Sequence, residues 1–104
     1  MKKVINGKLY NTETASLVAE WNNGIYGRDF RQCEERLFLT KKGQYFVAGS
    51  GGARSKYAES SGSFTESGSG IELLDNKKAA ALWCEEHGLT DILEDHFADC
   101  IEEG

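Results

Sequence analysis

The chain has 104 residues, of which 39% are hydrophobic and 28% are charged, and its net charge is −5 at pH 7. This length suits a single domain spanning residues 1–104, and no apolar run is long enough for a membrane-spanning helix. The first residues turn polar too soon for a secretion signal, so we expect a cytoplasmic protein whose three cysteines form no disulfides.

The first half of the chain predicts β-structure around one helix. Residues 4–10 alternate in polarity around Asn6-Gly7, which indicates a short strand or tight hairpin. An N-terminal helix is predicted over residues 14–21, because Asn11 or Thr12 can cap it. The strongest β signal comes next.

Two runs rich in β-branched and aromatic residues, 35–40 and 44–48, are separated by the glycine-containing turn Lys41-Lys-Gly43. This pattern predicts an antiparallel hairpin. From residue 49 to residue 70 the chain holds six glycines and seven serines, which is typical of a loop or a flexible strand edge.

The end of the chain predicts a strand at residues 71–74 and an acidic helical hairpin over residues 75–103. Asp75 is the expected cap of a helix from Asn76 to about His87. Gly88 ends that helix, and a second helix is expected to run to about Glu102. The fold class is therefore α+β, with a small antiparallel sheet, one N-terminal helix and a C-terminal helical hairpin.

Charge is divided unevenly along the chain. Residues 1–71 carry 10 Lys and Arg against 7 Asp and Glu, whereas residues 72–104 carry 2 against 10. A concentrated acidic surface repels nucleic acid and attracts basic protein surfaces. A solvated helical face that keeps the protein soluble explains the same charges equally well.

Both histidines and two of the three cysteines lie within residues 84–100. At about 100° per residue, the pairs Cys84/His87 and His96/Cys100 each fall on the apolar stripe of their predicted helix. Thiols and imidazoles are the ligands that zinc prefers, so we predict a structural Cys2His2 zinc site.

Two observations weaken the zinc prediction. In a tight hairpin Cys100 is offset from His87 by about eight residues, or roughly 12 Å, which is near the limit at which both can bind one ion. Cys33 is therefore the reserve ligand that would replace His87 or Cys100. The four residues can also be ordinary core thiols and imidazoles that are satisfied by carbonyls or by Glu side chains.

The remaining motifs give little support to catalysis or nucleotide binding. The stretch Gly49–Lys56 is rich in glycine, but its Arg54-Ser55-Lys56 order does not match a phosphate-binding loop. No serine lies in a nucleophile elbow, and the acidic neighbours of Cys33 disfavour its thiolate. We therefore expect a protein that is not an enzyme; a metal-dependent enzyme would need a zinc site with one position open to water.

A series of short motifs resembles a family of small proteins carried by bacterial phages and conjugative elements. The motifs are Ile5-Asn-Gly-Lys-Leu-Tyr-Asn-Thr-Glu-Thr-Ala15, Asp29-Phe30, Cys33-Glu-Glu35, Leu37-Phe38, Lys42-Gly43, Tyr45-Phe46, Gly51-Gly-Ala-Arg-Ser-Lys-Tyr-Ala58, Trp83 and Glu85-Glu-His87. Some members of that family are similar to anti-CRISPR proteins that act against type II-A effector nucleases. Cys84, His96 and Cys100 are less general in it than His87, so zinc would be a feature of this branch.

The resemblance implies an anti-CRISPR inhibitor that binds a type II RNA-guided nuclease in the bacterial cytoplasm and blocks a nucleic-acid loading step. The acidic charge of the last two helices suits the basic channels of such a nuclease, without direct contact to nucleic acid or membrane. We expect a monomer whose acidic surface consists of Glu85, Glu86, Asp91, Glu94, Asp95, Asp99, Glu102 and Glu103. The alternative is a non-catalytic, zinc-stabilised interaction module of a mobile element with a different protein partner.

Overall fold

A computed structural model describes residues 1–24, 31–52, 56–57, 59–61, 64–66 and 68–104. Asp29, Phe30, Ala53, Arg54, Ser55 and Ala58, which belong to the motifs above, lie outside the described residues. The strands are β1 (Lys2–Ile5), β2 (Lys8–Asn11), β3 (Ser16–Asn22), β4 (Cys33–Leu39), β5 (Tyr45–Gly51), β6 (Glu59–Ser61), β7 (Phe64–Glu66) and β8 (Gly68–Leu73). The helices are α1 (Lys77–Glu86) and α2 (Thr90–His96), followed by a 3-10 turn at Ala98–Cys100.

The centre of the fold is an antiparallel four-stranded sheet with the strand order β3-β4-β5-β8. Strands β1 and β2 form a separate antiparallel pair, as do β6 and β7. The predicted α+β class is therefore confirmed, although strands outweigh helices in the described part of the chain. Neither of its helices has the length and apolar character that crossing a bilayer requires.

The two sides of the sheet carry separate apolar clusters. Leu37 and Val47 point to the helix side, where they pack with residues of α1 and with Phe97. Phe38 and Phe46 point to the opposite side, where Tyr10 of β2 covers them. This alternation follows from the two-residue period of a strand. It places the helices on one side of the sheet and the β1–β2 hairpin on the other.

The hairpin predicted from residues 35–48 forms between β4 and β5, with Leu39 opposite Tyr45. Gly43 has φ +89 in the connecting turn, a conformation that glycine adopts without strain. Residues 49–51 and 68–70, inside the stretch predicted as a loop or a flexible strand edge, extend β5 and form the start of β8. The glycine-rich composition therefore belongs partly to the sheet.

The predicted N-terminal helix is wrong, because most of residues 14–21 lie in strand β3. This strand pairs with β4, so that Ala19 lies opposite Leu37 and is buried with it. Helix-favouring residues such as Ala and Leu supply only a weak local preference. Pairing with β4 and burial against the helices override that preference.

The predicted C-terminal helical hairpin is not matched. Asn76, and not Asp75, caps α1, since its side chain accepts a hydrogen bond from the Ala79 backbone N–H. The second helix ends at His96 instead of continuing to Glu102. Phe97 is fully buried against Tyr45 directly after this helix, and a 3-10 turn then replaces the α-helical path.

Candidate functional site

The acidic side chains predicted to bind a partner are all exposed. They are Glu85, Glu86, Asp91, Glu94, Asp95, Asp99, Glu102 and Glu103. Within the described ranges only Asp99 among them forms an ion pair, with Lys77 Nζ 2.9 Å from its Oδ1. Among the described residues, Lys77 is therefore the one cation that pairs with this acidic surface.

A buried carboxylate, that of Glu35 on β4, lies beneath the end of helix α1. Its side chain is 2% exposed, and its Oε2 atom accepts hydrogen bonds from the Tyr57 hydroxyl and from Lys56 Nζ, the latter at 3.0 Å. His87 Nε2 lies 3.2 Å from Oε1. We call Glu35, Lys56, Tyr57 and His87 the Glu35 cluster. It joins three segments that are distant in the sequence.

The sheet provides the space for this cluster. Directly opposed residues form one row across the four strands, in the order Trp21, Glu35, Gly49 and Gly70. Opposed residues direct their side chains to the same side of a sheet, so the two glycines leave a gap beside Glu35. Tyr57 occupies this gap, since a Cβ atom on Gly49 would overlap its ring.

His87 connects the same row to helix α1, at whose C-terminal cap it lies. Its ring stacks on Trp21 with ring centroids 4.0 Å apart and meets the edge of Trp83 at 4.8 Å. These contacts and the Glu35 carboxylate fix the last turn of α1 against the sheet. Glu85 and Glu86 of the acidic surface lie in that turn.

The charges in the cluster favour an ionised Glu35. Burial raises the pKa of Glu35, but the hydrogen bonds from Tyr57 and Lys56 and the charge of Lys56 outweigh this effect. The pKa of Glu35 therefore lies below its ordinary value of 4.5. Burial and the Glu35 carboxylate raise the pKa of Tyr57, which keeps its hydroxyl protonated. A carboxylate with a lowered pKa and several donors is a weak general base. The cluster is therefore suited to holding the fold together.

No protein-family model, curated protein or solved structure matches this chain. What the site does must therefore be argued from its own geometry.

The histidines predicted as zinc ligands have different protein partners in the structure. His87 contacts Glu35, whereas His96 Nε2 lies 2.8 Å from the Tyr45 hydroxyl and forms a hydrogen bond with it. Each imidazole is thus paired with a side chain of the sheet. The alternative named carbonyls or Glu side chains as partners, which describes His87, whereas the partner of His96 is a tyrosine hydroxyl.

The predicted thiol ligands also lie in different environments. Cys84 is fully buried in the core, and burial raises its pKa to about 11. Cys100, which the helical pattern placed on the buried stripe, is exposed, because the α-helix ends before it. The reserve ligand Cys33 is buried, and burial together with the charge of Glu35 raises its pKa.

Across the described residues, no group of three or more His, Cys, Asp or Glu side chains is placed to hold a metal ion. The zinc site therefore stays a prediction. Metal analysis of untagged protein tests it directly. One equivalent of zinc in the wild-type protein that is lost in a C84A/H96A variant would establish the site. A zinc content near zero in the wild-type protein would exclude it.

Sequence reasoning did not identify the Glu35 cluster. Two features of the sequence indicated the cluster: a glutamate on the buried side of a strand, and glycines at strand positions. Glycines inside strands often mark the close approach of another group. Glu35, Lys56, Tyr57 and His87 all belong to motifs quoted for the family resemblance. What was missing was the strand pairing that brings these motifs together.

Proposed function

We propose that the protein inhibits a type II RNA-guided effector nuclease by binding it through the acidic surface. The observation that carries the proposal is the exposure of eight carboxylates on and after the two helices, with one ion pair among them in the described residues. Such nucleases hold their guide–target duplex in a positively charged channel. An acidic protein surface competes for that channel, so the step blocked is nucleic-acid loading.

The Glu35 cluster supports this proposal because it holds part of the acidic surface, the last turn of α1, in place before binding. Helix α1 carries Glu85 and Glu86, and its last turn is held by His87 against Trp21 and Glu35. A surface that is rigid before binding loses less conformational entropy on association. Complementary charge also speeds the encounter with a basic partner at low salt.

The family resemblance suggests the class of partner, and the exposure of the acidic side chains supports them as the binding surface. A different basic protein of the host cell is the alternative partner, and the same acidic surface would bind it. Binding assays with a purified type II nuclease, with and without guide RNA, separate these two possibilities. Failure of the wild-type protein to bind either form would exclude the nuclease as the partner.

A DNA-cleavage assay with charge variants tests the surface itself. The variant E85K/E86K/E94K reverses three exposed charges on the helices, and we expect it to lose inhibition. The matched control E13K/E20K/E34K makes the same charge change on exposed residues outside the acidic surface and should still inhibit. Full inhibition by a folded E85K/E86K/E94K variant would exclude this surface.

The order of addition tests the inhibited step. If the acidic surface competes for the nucleic-acid channel, the protein inhibits when it is added before the DNA and fails when it is added afterwards. Inhibition that is equally strong in both orders would show that a step after DNA loading is blocked.

A further inference from the structure

A groove on the hairpin side of the molecule has a charge opposite to that of the acidic surface. It lies between the β1–β2 hairpin and the β4–β5 turn and has a volume of about 540 Å³. The residues that line it include Lys8, Leu9 and Ala15 from the N-terminal part of the chain and Lys41 and Lys42 from the turn. We call it the lysine groove.

Among the described residues that line this groove, lysine supplies all the formal charge and none is acidic. Lys8, Lys41 and Lys42 are exposed, and none of them forms an ion pair with another described residue. Thr40 and Asn11 add a hydroxyl and an amide to the lining. Three exposed lysines in the lining of one concave surface make an electrostatic site for an anion.

The fold separates this groove from the acidic surface. The hairpin packs through Tyr10 on Phe46, on the side of the sheet opposite to the helices. Both turns that border the groove contain a glycine with positive φ, Gly7 at +77 and Gly43 at +89. Lys8 begins strand β2 directly after the first of these turns, and Lys41 and Lys42 lie in the second. The acidic surface lies instead on the two helices and the residues that follow them.

We propose that the lysine groove binds a small molecule that bears a phosphate group. Lysine ammonium groups bind phosphate as point charges, and three of them match a phosphomonoester dianion. The groove volume falls within the range of small-molecule sites, which is about 300–1,000 Å³. Leu9 and Ala15 offer apolar contact to the rest of the ligand. This site is independent of nuclease inhibition, since it uses none of the acidic residues.

Nuclear magnetic resonance titration of isotope-labelled protein with adenosine monophosphate tests the proposal. We expect saturable shifts of the backbone signals of Lys8 and of residues 40–44, and no such shifts with uncharged adenosine. The variant K8Q/K41Q/K42Q should weaken binding at least about tenfold, because it removes every charge that lines the groove. Raising the salt concentration should weaken binding in the wild-type protein as well.

The variant K2Q/K3Q/K78Q is the matched control, because it removes three exposed lysines that do not line the groove. It should bind adenosine monophosphate as the wild-type protein does. Equal weakening in the two variants would overturn the proposal in favour of non-specific attraction. Inorganic phosphate that binds as tightly as adenosine monophosphate, or the absence of saturable shifts, would also overturn it. If the groove bound an RNA oligonucleotide but not adenosine monophosphate, the proposal of a small-molecule ligand would be wrong and the ligand would be a polynucleotide.

Discussion

The ring of Tyr57 lies against Gly49 on the helix side of the sheet, in space that a Cβ atom on Gly49 would fill. Gly49 is directly opposite Glu35 on the neighbouring strand. The Tyr57 hydroxyl can therefore donate its hydrogen bond to the Glu35 carboxylate. The Glu35 cluster can therefore form only because Gly49 has no side chain.

Replacing Gly49 by alanine should destabilise the protein by about 2–4 kcal/mol. The new methyl group would displace the Tyr57 ring, which adds packing strain and removes a hydrogen bond to a buried carboxylate. Urea denaturation followed by tryptophan fluorescence measures this loss, because Trp21 and Trp83 both contact His87 of the cluster.

Gly70→Ala is the control for this prediction. Gly70 lies opposite Gly49 in the same row, but its nearest Tyr57 atom would be 4.0 Å from the added Cβ atom, which is an ordinary contact. We expect a change below about 1 kcal/mol. Similar losses in the two variants would show that Tyr57 does not occupy the gap above Gly49.

Glu35→Gln should make the free energy of unfolding less dependent on acid pH. The pKa of Glu35 is lowered in the folded protein, so its ionised form adds stability that is present above its ordinary pKa of 4.5. That stability is lost as the pH falls through the lower, folded-state pKa. The wild-type protein should exceed the variant by about 2–4 kcal/mol at neutral pH, and the difference should shrink in acid.

Glu34→Gln is a suitable control, since Glu34 is the exposed neighbour of Glu35 on the same strand. Its unfolding free energy should follow that of the wild-type protein through the acid range. If the difference between wild type and E35Q stayed constant down to strongly acid pH, the Glu35 carboxylate would not be the group that titrates.

Local sequence signals were sufficient for the parts of the fold that form between near neighbours. The β4–β5 hairpin was predictable because its two β-rich runs flank a glycine turn at Gly43. The end of helix α1 was predictable as well, because glycine is favoured directly after a helix, and Gly88 has the positive φ of +67 that such a position requires. In both cases the determining residues lie within a few positions of each other.

The signals failed where distant segments decide the structure. Residues 16–22 become a strand because β4 is available to pair with them, and no local pattern records that partner. The Glu35 cluster depends on contacts with Tyr57 and His87, which are 22 and 52 positions away in the sequence. The buried position expected for Cys100 assumed that the helix continues, whereas the burial of Phe97 coincides with its end.

Replacing Asn76 by alanine should lower stability by about 1 kcal/mol, which is the usual cost of losing a helix cap. Its Oδ1 atom accepts a hydrogen bond of 2.8 Å from the Ala79 backbone N–H, and alanine cannot replace that acceptor. For a chain of this size the melting temperature should fall by about 4–8 °C. Circular dichroism during heating measures the shift.

The comparison variant Asp75→Ala removes the residue that the sequence pattern favoured as the cap. Because Asn76 holds the cap position in the structure, this change should affect melting much less. A larger effect from Asp75→Ala than from Asn76→Ala would assign the cap to Asp75 after all.

Brief treatment with N-ethylmaleimide should label Cys100 and leave Cys33 and Cys84 unmodified. Cys100 is the exposed thiol, whereas Cys84 is fully buried and its pKa of about 11 suppresses the reactive thiolate. Burial and Glu35 raise the pKa of Cys33 as well. Mass spectrometry of the proteolysed protein identifies the labelled residue, and denatured protein should take up label at all three positions.

The same labelling experiment also examines the zinc prediction. A Cys100→Ser variant should lose the rapid label, which assigns that reaction to Cys100. A zinc ion held by Cys84 and Cys100 would instead protect Cys100, because a metal-bound thiolate reacts slowly and the chelator-treated protein would react faster. Labelling of Cys100 at the same rate with added zinc and with a chelator would show that this thiol binds no zinc.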